Sequence, residues 1–219
     1  MPKFLFTLLL AFSFASTVSA TIITHTFTGT VNSDNGGEFV VGETITGTIT
    51  VDTSQTNGFP ASGGADFFFT DAVQSYNFSS GTSGHFVSGD RASGSTPLQM
   101  NTFNNRNLSP GPIDVDGVRY TVASGVAGNT SDLDTSRLDV FLTSSNSNLY
   151  TTHAIPTVLD VNDFDHVNNV DWFYIDGGVE RIMKFTLTNI TTSSVPEPST
   201  YLLFVMGIIG IGFVRRKKS

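Results

Sequence analysis

Strict alternation of side chains in two stretches near the start of the chain constrains the fold most. The sequence TITGTITV (44–51) places threonine at every second position with Ile, Gly or Val between, and IITHTFTGTV (22–31) continues the same pattern. Successive side chains of a strand point to opposite faces, so this alternation is typical of a half-buried strand. The intervening NSDNGGEF (32–39) is rich in turn-forming residues. The two stretches are therefore predicted to pair as a hairpin.

Further segments have the composition of strands and are separated by turn-forming Gly, Ser and Asp. They are 71–78, 84–88, 98–103, 118–124, 138–143, 170–175 and 179–190. Helical patterning is weak, and only 157–164 is expected to form a short helical turn. About nine short strands indicate an all-β protein. We expect an antiparallel β-sandwich over 21–192, with a jelly-roll or immunoglobulin-like strand order left open.

Charge and cysteine content exclude several functions. The 219-residue chain has no cysteine, which excludes a disulfide framework, thiol catalysis and a Cys-ligated metal. Residues 21–194 carry six cationic side chains against 18 carboxylates, a net charge of −12. Such a surface repels nucleic acid and attracts cations, so nucleic acid is not expected as a partner.

The first 20 residues, MPKFLFTLLLAFSFASTVSA, have the three parts of a signal peptide. Lys3 supplies the positive start, 4–15 the apolar segment, and Val18 and Ala20 the small residues before a cleavage site. The alternative is a buried N-terminal helix. We expect an exported protein whose mature chain starts at Thr21.

The C-terminal segment predicts a membrane-spanning helix. Residues 201–214 contain no charged side chain, and a basic cluster follows. A helix of this length extends roughly 21 Å, which is short for a hydrocarbon core of about 30 Å. The cluster nevertheless favours a span with a cytoplasmic tail at 215–219, because positive charge marks the cytoplasmic side of a membrane. The cluster consists of Arg215, Arg216, Lys217 and Lys218.

The linker 193–200 carries a recognisable motif. Pro196, Glu197 and Pro198, followed by an apolar segment and a terminal basic cluster, resemble the PEP-CTERM sorting signal. The resemblance implies processing by exosortase, a membrane-embedded, transpeptidase-like enzyme of Gram-negative bacteria that make exopolysaccharide. It also implies transient residence in the inner membrane and a final place at the cell surface, in the outer envelope or in the extracellular matrix. The alternative is an ordinary single-span anchor after a proline-rich linker.

The densest acidic segment is LDVNDFDHVNNVDWFYIDGG (159–178). Carboxylate and amide oxygens are suitable ligands for calcium, so Asp160, Asn162, Asp163 and Asp165 form a candidate calcium site. No other cofactor is suggested by the sequence. The spacing departs from the EF-hand pattern, because the residue two positions beyond Asn162 offers no oxygen ligand. The alternative is a solvated acidic loop in which Asp and Asn cap turns.

Aromatic residues provide a second candidate binding site. ADFFFTD (65–71) has three consecutive phenylalanines, and a strand would direct at least one of them outward. Phe68, Trp172 and Tyr174 are therefore candidates for stacking on a sugar ring, with exopolysaccharide as the ligand. The alternative is burial of these rings in the core.

Catalytic patterns are missing from the sequence. It contains no G-x-S-x-G, no H-E-x-x-H and no other histidine pair at metal-binding spacing. His25 falls on the apolar side of a predicted strand, where a hydrogen-bonded core histidine is expected. A pair of glycosidase carboxylates stays open as a possibility. We expect a non-enzymatic surface or matrix protein with a structural or adhesive role. The alternatives are a carbohydrate- or calcium-dependent binding module and a secreted hydrolase.

Overall fold

The protein is an antiparallel all-β structure, as predicted. The computed structural model describes residues 22–55, 59–60, 65–91, 98–107, 114–123 and 130–194. Within these residues the chain forms twelve strands and one 3-10 turn, Val161–Asp163. The strands are β1 Ile22–Asp34, β2 Thr44–Asp52, β3 Phe59–Pro60, β4 Asp66–Phe69, β5 Val73–Ser80, β6 Phe86–Asp90, β7 Leu98–Asn107, β8 Asp114–Ala123, β9 Thr130–Ser131, β10 Asp134–Ser144, β11 Val167–Asp176 and β12 Val179–Ser194.

All twelve strands belong to one continuous sheet. Their order across the sheet is β3-β4-β7-β8-β10-β11-β12-β1-β2-β5-β6-β9, and every neighbouring pair is antiparallel. The observed arrangement differs from the expected sandwich of two stacked sheets. Hydrogen bonding runs without interruption through one sheet from β3 at one edge to β9 at the other. Alternation along a strand shows which face is buried, but it does not show whether two ladders belong to one sheet or two.

The sheet curls so that its inner face closes on itself. In the strand order, β10, β11 and β12 separate β1 from β8, yet side chains of β1 and β8 meet across the core. The ring centre of Tyr120 lies 6.1 Å from that of His25 and 6.3 Å from that of Phe27. One sheet thus supplies both walls of the core, which two sheets share in a sandwich.

The side chains at the inward positions of the predicted alternation form this core. In β2, Ile45, Ile49 and Val51 are fully buried, whereas the threonines between them are half-buried or exposed. In β1, Phe27 and Val31 occupy equivalent inward positions. β1 and β2 pair in antiparallel register, which confirms the predicted hairpin.

Three short strands were not predicted from the sequence. The nine predicted strands correspond to the longer ones, whereas β3, β4 and β9 come in addition. β3 and β9 have two residues each and β4 has four. Segments this short carry no measurable period-two pattern, so only pairing with a neighbouring strand identifies them.

The predicted terminal segments lie outside the described residues. These are the signal peptide at 1–20, the span at 201–214 and the basic cluster Arg215, Arg216, Lys217 and Lys218. Among the described residues, no helix is long and apolar enough to cross a membrane. The described chain ends with β12 at Ser194, two positions before Pro196.

Gly47 permits the closest packing between β2 and β5. A Cβ added at Gly47 would lie 2.1 Å from Cδ1 and 2.2 Å from Cε1 of Phe78, whose ring is fully buried. We therefore predict that Gly47→Ala lowers the free energy of unfolding by about 1–3 kcal/mol. Thr44→Ala, on the exposed face of the same strand, should change it by less than about 0.5 kcal/mol. Urea titration measures both, and equal stability of Gly47→Ala and wild type would contradict this packing.

Candidate functional sites

The predicted calcium ligands lie around the 3-10 turn Val161–Asp163. Asp160 caps this turn: its Oδ1 accepts hydrogen bonds from the backbone N of Asn162 at 2.9 Å and from Asn162 Nδ2 at 2.8 Å. Asp165 accepts hydrogen bonds from the backbone N of Ser145 at 2.7 Å and from its hydroxyl at 2.5 Å. These bonds from Ser145 lower the pKa of the Asp165 carboxyl.

The calcium site at these four residues stays a prediction. In the part of the chain that the structure describes, no group of three or more His, Asp or Glu side chains is placed to hold a metal ion. Asp160 and Asp165 use their oxygens for N–H and O–H donors of nearby backbone and side chains. The capping role of Asp and Asn at turns accounts for this segment, and the alternative of an acidic loop fits the geometry better.

Trp172 and Tyr174 are core residues, and their predicted role in sugar stacking is wrong. Both side chains are fully buried. Trp172 Nε1 donates a hydrogen bond to Thr135 Oγ1 at 2.9 Å, and the Tyr174 hydroxyl donates to Asp34 Oδ1 at 2.6 Å. Both rings pack against Phe39, at centroid distances of 5.2 and 5.7 Å. Each polar atom thus has a partner inside the protein, and neither ring can reach a surface ligand.

Phe68 is the predicted aromatic residue that remains accessible. It is half-buried in β4 and stacks on Phe59 of β3, with ring centres 5.7 Å apart and an interplanar angle of 18°. Phe59 itself is 52% exposed. Phe67 packs against the core and stacks on His153 at 4.1 Å, so adjacent phenylalanines do face opposite sides. The two outward rings, Phe59 and Phe68, form what we call the aromatic pair.

Sequence reasoning missed Phe59 as a member of this pair. It is a single phenylalanine in the Gly- and Pro-containing stretch TNGFPASGG (56–64), without alternation around it. Its pairing with Phe68 across β3 and β4 is what brings the two rings together. A flat, exposed aromatic surface of this kind suits the apolar face of a sugar ring.

A second cluster that the sequence does not reveal surrounds His85. Its Nδ1 lies 2.6 Å from Asp132 Oδ2, and its Nε2 lies 3.1 Å from the carbonyl oxygen of Glu38. Asp132 Oδ1 also accepts a hydrogen bond from the backbone N of Phe86 at 2.8 Å. A His–Asp pair occurs in hydrolase triads, but both ring nitrogens of His85 face acceptors and neither is available to a serine hydroxyl. The cluster therefore joins three loops and is not arranged for nucleophilic catalysis.

The outer face of the sheet carries charged contacts both along and across its strands. Asp139 Oδ2 lies 2.7 Å from a terminal nitrogen of Arg119 and 3.0 Å from Nε of Arg137. The Arg137 guanidinium also lies over the Phe173 ring, 4.1 Å from its centre. Cross-strand pairs of this kind contribute about 0.2–1 kcal/mol each. They tie β8, β10 and β11 together.

Buried His25 fixes the end of the last strand. His25 is fully buried in β1, and its Nδ1 lies 2.8 Å from Thr192 Oγ1 of β12. The same hydroxyl oxygen accepts a hydrogen bond from the backbone N of Leu159 at 3.4 Å. Burial lowers the pKa of His25 to about 4, so the ring is neutral at pH 7. The predicted role of His25 as a hydrogen-bonded core residue is confirmed.

The sorting motif Pro196, Glu197 and Pro198 begins two positions after the end of β12 in the sequence and lies outside the described residues. Residues 194–218 match the family described as the PEP-CTERM protein-sorting motif. The chain therefore carries this motif, and the predicted resemblance is confirmed. The motif marks an exported protein that exosortase recognises and that is processed at the membrane. No curated protein and no solved structure matches the chain significantly.

His25 is expected to make the folded protein sensitive to mild acid. The unfolded chain takes up a proton on this residue near pH 6.5, whereas the buried ring takes it up only near pH 4. Between these values the unfolded state binds more protons, so the free energy of unfolding falls as the pH is lowered through this window. The full effect is about 3 kcal/mol.

Urea unfolding at about pH 7 and about pH 4.5 measures this loss. His25→Asn should remove most of the dependence within the window. His166→Asn is the matched control, because His166 is exposed, and it should keep the wild-type dependence. A wild-type protein that is equally stable at both pH values would contradict a neutral, buried ring.

Proposed function

We propose that the protein is exported, processed through its C-terminal motif and left at the cell surface or in the extracellular matrix, where its β-sheet body has a structural or adhesive role. The observation that supports this proposal is the PEP-CTERM motif at 194–218, which starts where the sheet ends. The proposed role needs neither catalysis nor a bound cofactor.

The proposed topology uses both ends of the chain. Residues 1–20 act as the signal peptide, and residues 201–214 hold the tail in the inner membrane until exosortase acts. The basic residues after 214 stop transfer and stay in the cytoplasm. Pro196 and Pro198 have no backbone N–H and cannot donate a hydrogen bond to a helix or a ladder.

The motif is tested by the double substitution Glu197→Ala and Pro198→Ala. We expect the wild-type protein to lose its C-terminal segment and to leave the membrane, and the double variant to remain an uncut membrane form. Intact mass and cell fractionation measure both properties in the native host. Glu180→Ala, which removes a carboxylate from the body, is the control and should behave as wild type. If the wild-type protein also keeps 201–219 and stays in the membrane, the tail is only an anchor.

A second candidate function is carbohydrate binding, favoured by the aromatic pair. Phe59 and Phe68 form an outward stack at one edge of the sheet, and Phe59 is half exposed. A sugar ring that stacks on such a surface buries apolar C–H groups against it. The proposed ligand is the exopolysaccharide of the producing bacterium.

Alanine substitution tests this second function. Phe59→Ala should weaken binding to purified exopolysaccharide about fivefold, which corresponds to the ~1 kcal/mol typical of one aromatic contact. Val41→Ala is the control, because Val41 is 63% exposed in the loop between β1 and β2 and belongs to neither β3 nor β4. Isothermal titration calorimetry measures the affinity. Equal affinities for wild type and Phe59→Ala would exclude the aromatic pair as the binding surface.

A further inference from the structure

The folded sheet and the segment 194–218 that matches the sorting-motif family share a residue. Ser194 is the last residue of β12 and also the first residue of the segment that matches the sorting motif. Pro196 follows two positions later. Val195 alone separates the hydrogen-bonded ladder from Pro196, the first residue of the sorting motif.

The end of β12 is held from one side. β11 pairs with β12 from Val179 only as far as Thr186, whereas β1 pairs with β12 up to Ser194. Within the described strands, the last residues of β12 thus have β1 as their sole ladder partner. We call the pairing of 191–194 in β12 with 23–26 in β1 the clasp. Its four rungs are Thr191↔Thr26, Thr192↔His25, Ser193↔Thr24 and Ser194↔Ile23.

One side chain secures the clasp. Thr191, Ser193 and Ser194 are exposed, and they contribute little buried surface. Thr192 is half-buried, and its hydroxyl lies between His25 Nδ1 at 2.8 Å and the backbone N of Leu159 at 3.4 Å. Loss of this hydroxyl removes the side-chain bond that links the end of β12 to the core.

We propose that the clasp controls the access of the processing enzyme to the sorting motif, an inference that rests on the proposed sorting function. An enzyme that binds an extended peptide uses its backbone N–H and C=O groups. Along the clasp every second residue already has these groups engaged with β1, and the residues between present theirs to the open side. A cleft that encloses the peptide from both sides therefore binds the segment around Ser194 only after the clasp has opened.

Opening of the clasp is a local event. Strand ends open at a much lower free energy than the whole domain, and attack on a rapidly opening segment follows the population of its open form. The rate of processing should therefore depend on the stability of four rungs and not on that of the whole sheet. His25 and Thr192 are positioning residues in this scheme, and neither takes part in the chemistry.

Three variants of the full-length chain test the proposal in a host that contains exosortase. A Gly/Ser insertion of roughly six residues between Ser194 and Val195 lets the motif reach the enzyme with the clasp closed, and should raise the rate by more than about fivefold. Thr192→Val should raise it about fivefold, the factor that corresponds to the ~1 kcal/mol of a net hydrogen bond. Thr24→Cys with Ser193→Cys links a directly paired rung and should slow processing about tenfold or more.

Each variant has a matched control. Thr188→Val removes a hydroxyl of β12 that donates to the Thr28 carbonyl oxygen at 3.2 Å, before the clasp begins, and should leave the rate unchanged. The natural chain has no cysteine, so the introduced pair forms the sole disulfide, and reductant should restore its rate. Either single cysteine variant should be processed as wild type. Loss of the tail is followed by mass after a pulse of synthesis, and thermal unfolding shows whether the variants remain folded.

The outcomes separate this inference from the sorting function. If the insertion and Thr192→Val leave the rate unchanged, or if the cross-linked protein is processed as fast as the reduced one, the clasp does not control access. If neither the wild-type chain nor the insertion variant is ever processed, the sorting function itself fails and the inference fails with it. Faster processing of the insertion variant and slower processing of the cross-linked one would support it.

Discussion

The pairing of the first strand with the last holds the whole sheet together. β1 and β12 are neighbours in the middle of the strand order. On the side of β12 lie β3, β4, β7, β8, β10 and β11, and on the side of β1 lie β2, β5, β6 and β9. The two groups are joined in the sheet through this one ladder. Its partners stand almost at opposite ends of the body in sequence, so closing it carries a large loop entropy and is expected late in folding. The core closes around His25 and Phe27 of β1, which reach across to Tyr120 of β8.

Local patterns in the sequence were sufficient to predict the nine longer strands but not their assembly. The alternation in 22–31 and 44–51 identified β1, β2 and their pairing, because strand, turn and strand are contiguous. The continuity of the sheet depends on pairs such as β1 with β12, for which the sequence contains no local pattern. The C-terminal motif was predictable for the opposite reason: its residues act as a linear segment, so no fold is needed to recognise it.

The candidate sites, too, could be predicted only as far as local sequence patterns describe them, and not where they depend on contacts across the sheet. Asp160 and Asp165 looked like metal ligands because the sequence shows acceptors without showing their donors, Asn162 and Ser145. Trp172 looked available because the four consecutive apolar residues 172–175 show no apolar–polar alternation that would mark the buried face. His85 and Asp132 are 47 positions apart, and Phe59 lies in a stretch without any pattern. In each case the missing information was the identity of a partner across the sheet.

The adjacent ends of the folded body also determine how it responds to tension. Ile23 and Ser194 face each other on neighbouring antiparallel strands, so the chain enters and leaves the sheet at the same point. The hydrogen bonds of an antiparallel pair run perpendicular to the strands. A force that draws the two ends apart therefore acts along these bonds and loads them one after another, whereas a force along the strands would load them together. A protein that is attached through only one of these two ends is not pulled apart between Ile23 and Ser194, and its hydrogen bonds are not loaded one after another.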